Sequence, residues 1–236
     1  MSLSFNGTTS SIVHTTADLG MSSSVSILCW IKLAGYGEGG VGIILGRDEG
    51  NNAFRFFSAS TTSGMKFRNI TGDTPGEWNH ALALDTWYCV AVSFDRTNSP
   101  TPNPIFYVRE VGVDSELISV SVTENQTPVG SSETPGTGYC NGSNAAASQT
   151  FNGLQARLQA WDAIVTEANL ESASTDPGSY TTSLKLYIDD TEADVSGNGF
   201  TGTTTDVTPD AEDPIDFDGG GAIPLRNKLL LLGVGV

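Results

Sequence analysis

Positive charge is scarce in this chain. Lysine and arginine number 11 against 27 aspartates and glutamates, a net charge of -16 over 236 residues. A surface of that sign repels phosphate backbones and anionic lipid, which speaks against nucleic-acid and membrane partners. It suits bound cations or neutral partners such as glycans, although acids that do no more than keep a β protein soluble give the same balance. Cysteine is rare as well: Cys29, Cys89 and Cys140 form no CxxC pair. No disulfide framework is therefore expected, and folding in a reducing cytosol is. Only His14 and His80 could serve as an imidazole base, and no GxSxG occurs, so a nucleophile triad has little to draw on. No apolar run reaches membrane-spanning length, and the closing LLLLGVGV reads as a terminal strand or contact segment. The opening MSLSFNGTTSS has neither the basic nor the apolar part of a signal peptide.

What is abundant is Ser, Thr, Asn and Gly, the residues of short strands and many turns. In SVSILCWIKL, Val25, Ile27, Cys29, Ile31 and Leu33 share one face, while Leu28 and Trp30 make the other apolar too. A strand loaded on both sides is a central one, covered twice. TWYCVAVSFD puts Tyr88, Val90, Val92 and Phe94 on one face and Trp87, Cys89, Ala91 and Ser93 on the other. VGIILGR reads as a strand, AFRFF and MKFR as hairpin partners, and IFYVREVGV and LISVSV as further strands. Residues 125–150 read as a long polar loop, after which Leu154, Ala156, Leu158 and Ala160 alternate on one face. Thr166 is placed to cap a short helix with Glu167 in its first turn, though Asn169 leaves the capping box incomplete. A boundary near 175 separates a sandwich domain, 1–175, from a C-terminal extension, 176–236, of short strands and a docking tail. Many short strands and almost no helix predict an all-β, antiparallel two-sheet sandwich.

In order and spacing, LSFNGTTSSIV, SILCWIKL, TWYCVAVSFD, IFYVREVGV and FNGLQARLQAWDAIVTEANL resemble the laminin-G-like, concanavalin A-like jelly-roll domains. DVSGNGFTGT resembles a segment that usually precedes such domains; its place behind one is similar to the arrangement in bacteriophage structural proteins. The resemblance implies two stacked antiparallel sheets. It also bears on Trp161, which is either a sugar platform or a core plug. It implies the plug, at the end of the last core strand. Parity sets Trp161 opposite Leu158 and Ala160, so a bulge or the sandwich edge has to accommodate it. The chain departs from the family at Cys89, where His is frequent, and at Arg109-Glu110, where Asp-Gly would favour a tight hairpin.

Enzyme chemistry finds little support. A glycosidase needs paired carboxylates across the sugar. GVDSE offers Asp114 and Glu116 with Gly112 where the first acid would stand, and a solvated strand face explains both acids. Gly35, Gly37 and Gly40 spell GxGxxG, but a strand follows where a dinucleotide site needs a helix. Asp194, Ser196 and Asn198 match the first half of a calcium loop, with Thr205 where the bidentate Glu belongs; a plain turn is the competing reading. Asp213, Asp216 and Asp218 could likewise hold a cation or form an acidic linker. Glycan binding asks for aromatic faces beside planar polar groups. Trp78, Asn79 and His80, Tyr36, and Tyr139 with Asn141 (and Asn144) in the long loop are the candidates, with scattered surface aromatics as the alternative. The expectation is a non-enzymatic bacteriophage virion protein, a decoration, fibre or adhesion component. It would be made in the host cytoplasm, touch host glycans, and dock on other virion proteins or copies of itself through residues 223–236. Calcium would be structural, if bound. The alternatives are a soluble bacterial carbohydrate-binding module and a degenerate glycoside hydrolase.

Overall fold

The computed structural model describes residues 1–14, 21, 24–47, 54–59, 64–68, 75–96, 103–122, 139–142, 149–189, 193–200 and 202–214. The expected tail at 223–236 and Asp216, Asp218 and Asn144 lie outside them.

Two antiparallel sheets stack face to face. The first runs, in spatial order, β10 (Ile118–Ser121), β9 (Ile105–Glu110), β8 (Trp87–Asp95), β3 (Ser24–Leu33), β12 (Asn152–Trp161), β1 (Ser2–Asn6) and β15 (Thr208–Asp210), with β13 (Leu184–Ile188) also on β12. The second runs β14 (Thr203–Thr205), β2 (Ser11–His14), β11 (Tyr139–Asn141), β4 (Val41–Arg47), β5 (Arg55–Ala59), β6 (Met65–Arg68) and β7 (Gly76–Trp78). The expected jelly-roll sandwich is the observed one.

The predicted inner faces meet between the sheets. Val25, Ile27, Cys29, Ile31 and Leu33 of β3 and Tyr88, Val90, Val92 and Phe94 of β8 pack there with Phe54, Phe56 and Phe67 of the second sheet. The other face of β3 and β8 is buried too, as its apolar loading demands. Leu28, Trp30, Trp87, Cys89 and Ala91 form a second core with Leu170 and Ala173 of α1 (Glu167–Thr175). That helix starts at Thr166, whose side chain accepts the Asn169 amide. Arg109 fastens it: its guanidinium pairs with Glu171, donates to Ser174 Oγ at 2.9 Å and lies over the Trp30 ring at 5.1 Å. Glu171 Oε2 in turn accepts the Leu117 amide at 2.8 Å.

Trp161 is a plug. It is fully buried in the second core and donates its indole N–H to the Tyr180 carbonyl at 3.1 Å. A bulge makes this possible. Pairing of β12 with β3 shifts between Ala156 and Gln159, and Arg157 between them takes φ +53°. The one-face reading of β12 is corrected here: Leu154 and Ala156 face the helix side, Leu158 and Ala160 the inter-sheet core.

Other expectations shift in detail. IFYVREVGV stops pairing at Glu110, and residues 111–117 form a turn in which Asp114 Oδ2 accepts the Glu110 amide at 2.9 Å. Asp114 and Glu116 thus sit on a turn, not on a strand face. The stretch 125–150 contains a strand, β11, which bridges β2 and β4. The segment after 175 is also part of the sandwich: β13 joins β12, β14 joins β2 and β15 joins β1. Its far end is tied by Arg157 Nη2 to Asp213 Oδ1 at 3.1 Å, and Asp213 Oδ2 lies 2.9 Å from the amino terminus. The expected boundary at 175 falls at the end of α1, within one hydrogen-bonded unit that continues to the last described strand.

Cys29 and Cys89 are free and buried on adjacent strands. They face opposite cores, one between the sheets and one under α1. Burial raises both thiols, Cys89 to about 12, so neither is a thiolate at neutral pH.

Candidate functional site

Strand register brings residues 34–40, 79–86 and 111–117 to one end of the sandwich. The first links β3 to β4, the second links β7 to β8, and Glu110 pairs with Tyr88 beside the third. The link 79–86 is anchored where the Asp85 amide donates to the Leu33 carbonyl at 2.8 Å.

At this end three aromatic rings follow one another across the gap between the sheets. Trp78 closes β7, and its ring centroid is 5.2 Å from that of His80. His80 stands edge-on to Tyr88 of β8 at 6.4 Å. Trp78 has the parity of the inner face, since it pairs with the buried Met65, and it packs half-buried on the inter-sheet core. The backbone between them turns sharply, the His80 amide donating to the Trp78 carbonyl at 2.8 Å. Gly64 lets the turn settle: a Cβ there would stand 2.0 Å from the His80 carbonyl oxygen. Asn79, at the apex, is exposed.

Polar groups gather at the Tyr88 end of the row. Its hydroxyl accepts the Ala83 amide at 3.1 Å. Burial raises the phenol above its ordinary range, and the Glu110 and Asp114 carboxylates beside it push the same way. The arrangement is therefore two half-buried rings, Trp78 and His80, held by backbone over the fully buried Tyr88, with the Glu110 and Asp114 carboxylates beside its phenol. It can stack on the apolar face of a ring and accept hydrogen bonds from hydroxyls.

The other sequence candidates are spread more widely. Tyr36 lies at the same end, half-buried against the inter-sheet core in the 34–40 loop. Asn141 is buried on β11 with its Oδ1 unpartnered, so it is not a loop residue facing solvent. Tyr139 is on β11 as well, opposite His14 and Arg47 and hence toward the far end of β4. The six candidates do not converge: Tyr36, Trp78, Asn79 and His80 share one end, and the β11 pair does not join them. Tyr88 and Glu110 were missed because strand periodicity accounts for both without a site.

Asp194, Ser196 and Asn198 do come together, but as a turn. Asp194 Oδ1 accepts the amides of Tyr187 at 3.0 Å and Ser196 at 2.9 Å. Its Oδ2 accepts the Ser196 hydroxyl at 2.8 Å and the Phe200 amide at 3.2 Å. Asn198 Nδ2 donates to the Leu184 and Lys185 carbonyls at 3.0 and 2.9 Å. A calcium loop needs its carboxylate and amide oxygens turned inward and free of donors. These residues as arranged do not fit that requirement. Among the described residues, no three His, Cys, Asp or Glu side chains are grouped to hold a metal ion.

No family model matches the chain, and no curated protein does. Solved structures do. A candidate carbohydrate-binding protein from Bacteroides ovatus superposes with a TM-score of 0.59 at 17% identity, covering 88% of this chain and 58% of that one. A heptameric SAP-like pentraxin from Limulus polyphemus gives 0.51 at 13%, covering 75% and 83%. Full-length tailspike protein 2 of an Escherichia coli O157:H7 bacteriophage gives 0.51 at 13%, covering 75% of this chain and 24% of the tailspike. With its two antiparallel sheets and these neighbours, the chain has the concanavalin A-like jelly-roll fold, as the laminin-G-like segments implied.

Proposed function

We propose that this protein is a non-catalytic glycan-binding jelly roll carried on a bacteriophage particle, as a decoration, fibre or adhesion component. The observation that carries the reading is the half-buried Trp78–His80 ring pair at one end of the sandwich, over the Tyr88 phenol and beside Glu110 and Asp114. The partly exposed Trp78 and His80 rings offer stacking area, and the carboxylates offer acceptors to neutral sugar hydroxyls. The same fold occurs within a phage tailspike and in a candidate carbohydrate-binding protein, which supports both halves of the proposal. Buried, unpaired Cys29 and Cys89 suit synthesis in a host cytoplasm before exposure on a particle.

Wild type and Trp78→Ala, compared on a glycan array, test the site. Binding by the wild type to a neutral oligosaccharide, weakened at least about tenfold in the variant with an unchanged circular dichroism spectrum, supports it. No binding, or binding indifferent to Trp78, removes it. The particle role is tested separately: a chain ending at residue 222 should stay folded and fail to join virion partners or copies of itself. A soluble bacterial binding module is the second reading, favoured by the 88% coverage of this chain by the Bacteroides protein. Capsid, portal or tail genes beside the coding sequence decide between the two. Turnover of a β-glucan would instead revive the degenerate hydrolase.

A further inference from the structure

The edges of the two sheets are not alike. β15 carries Pro209, which has no N–H to offer, and β7 carries Glu77, ion-paired with Lys66. β14 is only three residues long. β10 is without such protection: Ile118–Ser121 is uncharged, free of proline and, among the described residues, paired on one side only, with β9. The Val122 amide donates to the Pro104 carbonyl just before β9 at 3.2 Å, so the alternate amides of Ser119 and Ser121, with their carbonyls, point outward. Three of the six large apolar side chains exposed among the described residues surround this edge. Ile118 is in it, and Val113 is in the turn that leads to it. Ile164 precedes Val165, whose carbonyl accepts Ser93 Oγ at 3.3 Å in the cross-strand row Ser93–Ile105–Ser121. Two carboxylates stand beside them: Glu116 is exposed two residues before the strand, and Glu167 Oε2 accepts the Ser119 hydroxyl at 2.9 Å.

An open edge of this kind is a template for an added strand. The segment whose chemistry matches it is the chain's own close. Residues 219–236 hold Arg226 and Lys228 and no acid, while the other 9 of the 11 bases face all 27 acids in residues 1–218, a balance of -18. RNKLLLLGVGV sets two bases ahead of four leucines, which answer the Glu116 and Glu167 carboxylates and the exposed Ile118, Val113 and Ile164. The described chain departs on the other side of the sheet. Asp213 is tied to Arg157 and to the amino terminus, on β12 and just before β1, four and five strands from β10. Register sets that departure level with the acceptor: Ile118, Val108, Val90 and Cys29 form one row, and Arg157 lies in the bulge opposite Cys29. A donor on one side of a sheet and an acceptor on the other make a heterologous contact, which repeats head to tail. We infer that the β10 edge of one copy receives residues 226–236 of the next copy as an added strand. This rests on the reading of the closing segment as a docking tail and names the surface on which it docks.

The test follows the mass of the full chain by analytical ultracentrifugation over a concentration series. The expected result is a mass that rises above the monomer with concentration, and association weakened at least about tenfold in Ser121→Pro, which removes an outward N–H and leaves the β9 ladder intact. Leu230→Asp/Leu232→Asp, with its edge untouched, should be weakened alike. Mixed together, the two variants should form a one-to-one dimer, because one keeps the donor and the other the acceptor. Should Ser121→Pro fail to fold, Ile118→Lys at the exposed edge carries the same comparison. A wild type that stays monomeric overturns the inference, and so does a mixture of the two variants that stays monomeric. Association that needs the leucines and is indifferent to Ser121 and Ile118 overturns the edge while leaving the docking tail standing. Association indifferent to the leucines overturns both.

Discussion

His14 makes a sharp prediction about acid. It closes β2 with its side chain fully buried, and neither ring nitrogen has a hydrogen-bond partner. Desolvation lowers its pKa from 6.5 to about 4, with the Asp194 charge acting weakly the other way. The folded protein therefore holds His14 neutral where an unfolded chain would already bind a proton. Between those two values the unfolded state carries more protons, so stability rises with pH. The contribution is complete above pH 6.5 and lost as pH falls toward 4. That separation corresponds to a loss of about 2 kcal/mol at pH 5 and about 3 kcal/mol at pH 4. Carboxylates titrate in the same window, so the wild type alone cannot isolate the effect. His14→Leu can, since it removes the imidazole and fills the site with apolar atoms. Urea unfolding at pH 7, 6, 5 and 4 should show the stability difference between the two proteins shifting in favour of the variant by about 3 kcal/mol across the series. A constant difference would refute the reasoning, because a neutral buried imidazole cannot coexist with an unperturbed proton balance.

The Arg109–Glu171 pair, which ties α1 to the first sheet, should show a coupling energy of about 1–2 kcal/mol in a double-mutant cycle of Arg109→Met and Glu171→Gln. Single replacement of Arg109 should cost more than that of Glu171, since Arg109 is the more buried and also holds Ser174 and covers Trp30, whereas Glu171 otherwise holds the Leu117 amide. Thermal melts with and without a chelator should give identical midpoints, because hydrogen-bond donors already occupy both Asp194 oxygens. A chelator-dependent midpoint would locate a cation elsewhere in the chain.

How much of this was legible in the residues depends on how local each signal was. β3 and β8 could be read residue by residue, because a central strand covered on both sides writes its burial into every position, and no distant partner changes that pattern. The α1 start was equally readable, since Thr166 and Glu167 act within one turn. β12 was half-readable. Its alternation is real, but a single residue at positive φ, Arg157, transfers Leu158 and Ala160 to the opposite face, and nothing about an arginine announces a bulge. β11 was invisible, and β14 and β15 were expected only as unplaced short strands of the extension, for a different reason: each has only three residues, too few for a period, and each exists because longer neighbours lend it hydrogen bonds. The site follows the same rule. Trp78, Asn79 and His80 are contiguous and could be named together, whereas Glu110 comes beside the buried Tyr88 only through the pairing of β8 with β9. Chemistry in a sandwich of this kind is assembled across strands, so a reading along the chain finds its pieces and only the pairing shows which of them meet.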